Sequence, residues 1–312
     1  VALVGIDVGG TNIAGATLAA ERSVPTLAHE GPEAVLRRVA ALVRDLAPRP
    51  EAVGMGLPGL VDRERGISKF LPNMPTQWRD VPVAEILERE LECPVYLLND
   101  ARLAALGEFV YGARDARTPE ARTMIFFTLG TGVGGGVIVD GKLRLGPLGA
   151  AGEVGHQTIL PDGPLCGCGN RGCLETLASG PALAGEGVRL MRTGLAPRLY
   201  ELVGGEASRI TPREMGFAAR RGDAAVSAAI ERVAGYLGIA IANMVNVLHP
   251  ELIVLGGGVA ALGDLLLTPV RAEVARRVGM FPIDNVKIEN SALGDRAGAL
   301  GGIALAERAG QV

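Results

Sequence analysis

IDVGGTNIAGATL (residues 6–18) returns 121 residues later as FTLGTGVGGGVIV (residues 127–139), with Gly9 falling on Gly130 and Gly15 on Gly136. Each copy reads as a strand, a glycine turn and a second strand, so the chain carries an internal repeat whose halves open alike. Two similar halves facing one another make a cleft, and clefts between domains are common seats for small ligands.

Outward from the repeat, strand and helix patterns alternate. Residues 1–8, 12–18, 52–57 and 95–98 read as strands, and residues 32–46, 83–91 and 100–111 as helices, with Asn99 or Asp100 near the cap of the last. Residues 112–122 are polar and suit a crossover. The pattern then restarts with strands at 123–129 and 134–139, a long helix at 223–248, and a strand at 252–255. A helix to about residue 278, a strand at 286–289 and a helix at 295–309 follow.

At about 150 residues per domain, 312 residues suggest two domains. The chain is 48% hydrophobic and 21% charged, enough to bury sizeable cores. A net charge of −3 argues against a general nucleic-acid grip, which needs a basic excess. Glycine is abundant, 45 residues, which points to tight turns and close backbone approaches. The uncharged window 233–250 has helical spacing and includes Asn243, Asn246 and His249, so it reads as a buried core helix and not a membrane span. The first ten residues read as strand and turn, not as a secretory leader. Four cysteines are too few for a disulfide framework. Together these features lead us to expect a soluble, cytoplasmic, two-domain protein.

Five motifs carry chemistry. Asp7-Val8-Gly9-Gly10-Thr11-Asn12 sets a carboxylate at a strand end before glycines that let backbone N–H groups approach phosphate, which suits a phosphate and its Mg²⁺. It is neither a Walker loop nor a dinucleotide fingerprint, because no Gly-Lys-Ser/Thr follows and a strand, not a helix, comes next. Five glycines in residues 130–136 can cradle anionic oxygens, and Gly256-Gly257-Gly258 opens a helix after a buried strand. Asn99-Asp100 offers either a helix cap or a general base for a substrate hydroxyl. The fifth motif is the most specific: His156, Cys166, Cys168 and Cys173, spaced His-x9-Cys-x-Cys-x4-Cys, form a closed structural zinc set with no open position for catalysis. Glu153 and Glu175 flank this knot.

DVGGTN, LPN (residues 71–73), LLNDA (97–101), LGTGVGGG, GPLGAAGEVGH (146–156), CGCGNRGCLE and LGGGV together resemble the bacterial ROK family (repressor, open reading frame, kinase), in the expected order over most of the chain. The resemblance implies a duplicated α/β actin-like ATPase (ribonuclease H-like) fold, with two domains around a central cleft. Residues 1–112 plus 296–312 would form the small domain and 113–295 the large one. It implies ATP- and Mg²⁺-dependent phosphorylation of a sugar at O6, most like a glucokinase, with Asp100 as catalytic base. Asn73, Asn99, Asp100, Glu153, His156 and Glu175 would bind sugar hydroxyls. Asp7, Gly9, Gly10, Thr11, Asn12, Thr131, Gly132 and Gly257 would hold the nucleotide and its metal. His156, Cys166, Cys168 and Cys173 would hold zinc, His156 presenting its second ring nitrogen to the sugar. Such kinases are often homodimers or homotetramers.

Two other readings stand beside this one. The same chemistry could serve N-acetylmannosamine, N-acetylglucosamine, fructose or mannose. A sugar-responsive repressor ranks lower, because the first glycine motif begins at residue 7 and leaves no room before it for a helix-turn-helix. Trp78 is expected to pack in the core, and Cys93 to lie outside the knot near a helix end.

Overall fold

The computed structural model describes residues 2–71, 74–76, 78–112 and 120–312. In chain order it forms β1 (Ala2–Val8), β2 (Asn12–Ala16), β3 (Glu21–Pro25), α1 (Pro32–Leu46), β4 (Pro50–Leu57), β5 (Leu60–Asp62), β6 (Ile67–Phe70) and β7 (Arg79–Val81). Next come α2 (Val83–Leu91), β8 (Val95–Asn99), α3 (Asp100–Gly107), β9 (Met124–Leu129), β10 (Val133–Val139) and β11 (Lys142–Leu143). Four helices follow: α4 (Leu174–Ala178), α5 (Gly180–Arg192), α6 (Pro197–Val203) and α7 (Pro212–Arg220). The chain ends with α8 (Ala224–Leu248), β12 (Leu252–Gly256), α9 (Asp264–Arg277), β13 (Lys287–Asn290) and α10 (Ala297–Glu307).

The repeat in the sequence is a repeat in the topology. One five-stranded sheet has the order β3-β2-β1-β4-β8 and a second the order β11-β10-β9-β12-β13. In the first, β1 pairs antiparallel with β2 and parallel with β4, which pairs parallel with β8. In the second, β12 lies parallel between β9 and β13, and β10 pairs antiparallel with β11. A hairpin beside a parallel run, made twice, is the duplicated α/β arrangement expected from the sequence. The parallel strands are continuous apolar runs because both their faces are covered; all five residues of β12 are buried.

By packing, the chain divides into two units, Val1–Glu120 with Gly136–Gly152 and Ser291–Val312, and Ala121–Gly135 with Glu153–Asn290. Residues 136–152 and 291–295, expected in the larger domain, group with the first unit. Gly136 sits against the Ala105 side chain of α3, too close for a β-carbon of its own.

In the first unit, α1 starts on Pro32 at its N-terminal turn and buries Val35, Leu36, Val39, Leu42 and Val43 at helical spacing. The closing helix α10 is buried along ten of its eleven residues. It rests directly on the sheet: β-carbons at Gly5 and Gly54 would strike the carbonyls of Ala299 and Gly302. Part of the glycine surplus is therefore helix-to-sheet contact at backbone distance. Trp78 is 1% exposed and Cys93 is buried, as their sequence context suggested.

In the second unit, α8 is long and apolar enough by length and composition to cross a membrane, and half of its most apolar window is buried within the protein. Val226, Ile230, Val233, Leu237, Ile241 and Val245 form its inner face, so it is the core helix that the spacing predicts.

Several elements differ from the sequence expectation. β3 and the three-stranded sheet β5-β6-β7 were not foreseen; β3 (ERSVP) is mostly exposed and has no apolar alternation. The helix expected over 100–111 is α-helical only to Gly107 and continues as a π-helical turn, Glu108–Gly112. Most of the expected crossover, 113–119, lies outside the described residues.

Candidate active site

In the first unit, Asp7 is the penultimate residue of the central strand β1, and Asn99 and Asp100 mark the junction of β8 with α3. Asp7 is in register with Gly56 of β4, and Leu57 with Asn99 of β8, so the acids sit at the carboxyl ends of parallel strands. Gly56 makes room for both: a β-carbon there would lie 3.3 Å from Asp100 Cα and 3.4 Å from Asp7 Oδ1. Gly298 of α10 leaves the Asp7 carboxylate less space still: a β-carbon there would overlap Asp7 Oδ2. Burial, and then the Asp100 charge, push the Asp7 pKa up to about 7.

Asn99 is the N-cap of α3. Its Oδ1 accepts from the N–H groups of Ala101 at 3.1 Å and Arg102 at 3.3 Å, and its amide donates to Gly59 O at 3.0 Å. Asp100 is thus the first helical residue, with Oδ1 accepting from Ala101 N–H at 2.8 Å. Near Asp7, the turn Gly9–Asn12 closes with Gly9 N–H donating to Asn12 O at 2.9 Å. The buried Thr26 fastens this turn: its hydroxyl donates to Gly9 O at 2.7 Å and its N–H to Thr11 O at 2.8 Å. Gly10, Thr11 and Asn12 are exposed.

In the second unit, the ligand atoms of His156, Cys166, Cys168 and Cys173 all lie within 4.8 Å of one another. Cys166 Sγ is 3.7 Å from His156 Nδ1, and Cys168 Sγ is 3.7 Å from Cys173 Sγ. Tetrahedral zinc with Zn–S bonds of about 2.3 Å spaces its sulfurs about 3.8 Å apart, so the donor set fits that ion. All four cysteines of the chain are free thiols. Burial pushes Cys173 up to about 12 and also raises Cys166, whereas the Asn170 backbone lowers Cys168. The sharp turn into Cys173 depends on Gly172, which has φ 61° and whose β-carbon would overlap Leu160 O. His156 Nε2 points the other way, 3.8 Å from Glu153 Oε2.

Glu175 ties the knot to the glycine loop. Its Oε1 accepts from Cys166 Sγ at 3.7 Å and its Oε2 from Val133 N–H at 3.0 Å, against Gly132. The loop is held further by Gly180 N–H, which donates to Gly130 O at 2.8 Å. Next to it, Gly257 takes φ 84° with Leu129 backbone packed against it, and Val259 N–H donates to Leu129 O at 3.0 Å. A pocket of about 330 Å³ opens beside these loops, lined mainly by apolar groups that include Pro181, Ala184, Ile210, Pro212 and Val259.

Of the residues singled out in the sequence, Asp7, Gly9, Gly10, Thr11, Asn12, Asn99 and Asp100 lie in the first unit. Thr131, Gly132, Glu153, His156, Cys166, Cys168, Cys173, Glu175 and Gly257 lie in the second. Asn73 lies outside the described residues. Sequence reasoning missed Thr26, Arg102 and the apolar pocket. A threonine 14 residues beyond a glycine turn gives no signal, and the pocket joins four segments far apart in sequence.

The ROK family profile matches residues 3–309. A glucokinase of Halalkalibacterium halodurans is 37% identical over 316 aligned positions, 96% of this chain and 93% of that protein. A xylose repressor of Caldicellulosiruptor bescii is 37% identical over 253, which is 81% of this chain and 61% of the repressor. Among solved structures, a ROK family glucokinase from Streptomyces griseus in complex with glucose and AMPPNP matches with TM-score 0.84 and 33% identity, covering 99% of this chain and 100% of that one.

Proposed function

The chain belongs to the ROK family, and on that premise we propose that it is an ATP-dependent glucokinase, transferring the γ-phosphoryl group of ATP to O6 of glucose. The observation that carries this reading is the likeness, over 99% of the chain, to the Streptomyces griseus glucokinase complexed with glucose and AMPPNP.

In this mechanism Asp100 accepts the O6 proton as O6 forms its bond to the γ-phosphorus. The bond from that phosphorus to the bridging oxygen breaks, and ADP leaves with the electron pair. The loose transition state asks for positioning more than for a strong base, which suits a carboxylate at a helix start. Asn73, Asn99, Glu153, His156 and Glu175 join Asp100 in holding sugar hydroxyls, and a site built on such bonds rejects an analogue lacking one. Gly9, Gly10, Thr11 and Asn12, with Thr131, Gly132 and Gly257, hold the phosphates through backbone N–H groups and hydroxyls. The apolar pocket beside Gly130 and Gly258 would seat the base.

Asp7 is the residue that would hold Mg²⁺. A half-buried carboxyl whose pKa desolvation pushes up to about 7 is one that a cation would ionise. When bound, the metal neutralises charge on the phosphate oxygens. His156, Cys166, Cys168 and Cys173 would hold structural zinc and stiffen the segment carrying Glu153 and Glu175. We place the enzyme in the cytoplasm, where its ATP is, as a homodimer or homotetramer.

ADP release coupled to a dehydrogenase, measured across hexoses at fixed ATP and Mg²⁺, tests the proposal. Glucose should give the highest kcat/KM. Preference for N-acetylmannosamine or another hexose would change the acceptor and keep the chemistry. Sugar binding with no transfer to any hexose would contradict the kinase reading and favour a sensor like the xylose repressor.

A further inference from the structure

Arg102 is 2% exposed, on the first turn of α3. Buried arginines are rare and need their donors satisfied. Among its contacts are three oxygens in two directions. Nη1 donates to Asn99 Oδ1 at 2.9 Å, Nε to Ala151 O at 3.1 Å and Nη2 to Ala150 O at 3.0 Å. One planar group therefore joins the cap of the helix that Asp100 opens to the backbone of another segment. All of these groups lie in the first unit.

Within the segment it grips, Ala151 N–H donates to Leu145 O at 2.8 Å and Gly149 N–H to Gly146 O at 3.3 Å, and the rest faces solvent. Residues 146–148 and 150 are exposed, and Leu148 shows 73% of its surface. Gly146, Gly149 and Gly152 take φ of 69°, 71° and 94°. A loop with that much glycine has many accessible conformations, so its place depends on what ties it. Ala151 precedes Glu153 by two residues and His156 by five.

We propose that Arg102 is a positioning residue for the sugar. It fixes the Asn99 side chain, and with it the start of α3 at Asp100. It also fixes the strand of backbone that leads into Glu153 and His156. Guanidinium geometry is required, because an ammonium group is a point donor and cannot span Asn99 and two carbonyls at once. This inference rests on the glucokinase reading for its kinetic consequence and on geometry alone for the clamp.

The test uses the 312-residue chain with Arg102→Met and Arg102→Lys, and two readouts. In hydrogen exchange, the peptide spanning residues 145–152 should exchange at least tenfold faster in Arg102→Met, with β1 and β4 peptides unchanged. In steady-state assays, the KM for glucose should rise tenfold or more in both variants, with the KM for ATP within twofold of wild type. Loss of folded protein alone would lower apparent kcat and leave both KM values in place, so the split separates positioning from bulk stability. Should Arg102→Met not fold, Arg102→Lys carries both readouts. Unchanged exchange in 145–152, or a glucose KM within twofold of wild type, would overturn the proposal. A wild-type protein that phosphorylates no hexose would overturn the glucokinase reading instead, and exchange would then judge the clamp.

Discussion

The two glycine turns share a topology and differ in how they are held. The first, Gly9–Asn12, is fastened from behind by Thr26 and backed by the carboxyl of Asp7. The second, at Gly130–Gly132, is fastened by Glu175, a residue of the cysteine-histidine knot, and by Gly180. At the position equivalent to Asp7 the second copy has Thr128. The repeat thus specifies a backbone twice, and the acid appears in only one copy. What this teaches is a division of labour: the first copy supplies charge, and the second supplies amides on a braced loop beside an apolar pocket.

The sharpest way to break that contrast is to remove the acid from the copy that has it. Asp7→Asn should lower kcat by about a hundredfold or more, as loss of one preorganised electrostatic group does. It should also change the pH dependence of stability in metal-free protein. Unfolded Asp7 ionises near 3.8, whereas the folded residue keeps its proton to about 7. The folded state therefore binds more protons in that window, and stability falls as pH rises through it. Asp7→Asn should be more stable than wild type at pH 8, with the advantage gone below pH 4. Denaturant unfolding at the two pH values checks the sign.

Next in size is the brace of the second copy. Cys166→Ser should lose the zinc, about one ion per chain, and lower glucose turnover by roughly tenfold or more, since losing a ligand costs at least as much as losing a ligand's hydrogen-bond partner. Metal analysis of wild type with no zinc would remove the brace from the account. A smaller effect should follow from loosening the first turn. Thr26→Val deletes the hydroxyl bond to Gly9 and keeps the backbone bond to Thr11, so stability should drop by about 1 kcal/mol. The KM for ATP should rise a few-fold while that for glucose holds. The smallest effect belongs to Cys93→Ser, outside both turns: a loss of about 1 kcal/mol and no change in kcat.

Much of this contrast is written in the sequence. The repeat, the spacing of the knot and the apolar stripes of α1, α2 and α8 are local patterns, and α1 and α2 have the bounds that the spacing predicts. What was not legible depends on contacts between distant segments. β5, β6 and β7 are three or four residues long, too short for alternation to show. Arg102 looks like a solvated charge on a helix, because burial of a guanidinium depends on carbonyls 48 and 49 residues away. The brace through Glu175 was half visible: its place beside the knot was clear, but its bond to Val133 was not.

The central claim is that Asp100 is the base that takes the proton from the sugar hydroxyl. Replacing it by Asn keeps size and polarity and removes the proton acceptor. Turnover and glucose affinity of Asp100→Asn, measured side by side by coupled assay and titration calorimetry, test this most directly. The account predicts that kcat falls by about a thousandfold or more, within the range for loss of a general base, while the glucose Kd stays within a few-fold of wild type. A variant that turns over glucose within tenfold of the wild-type rate would contradict it.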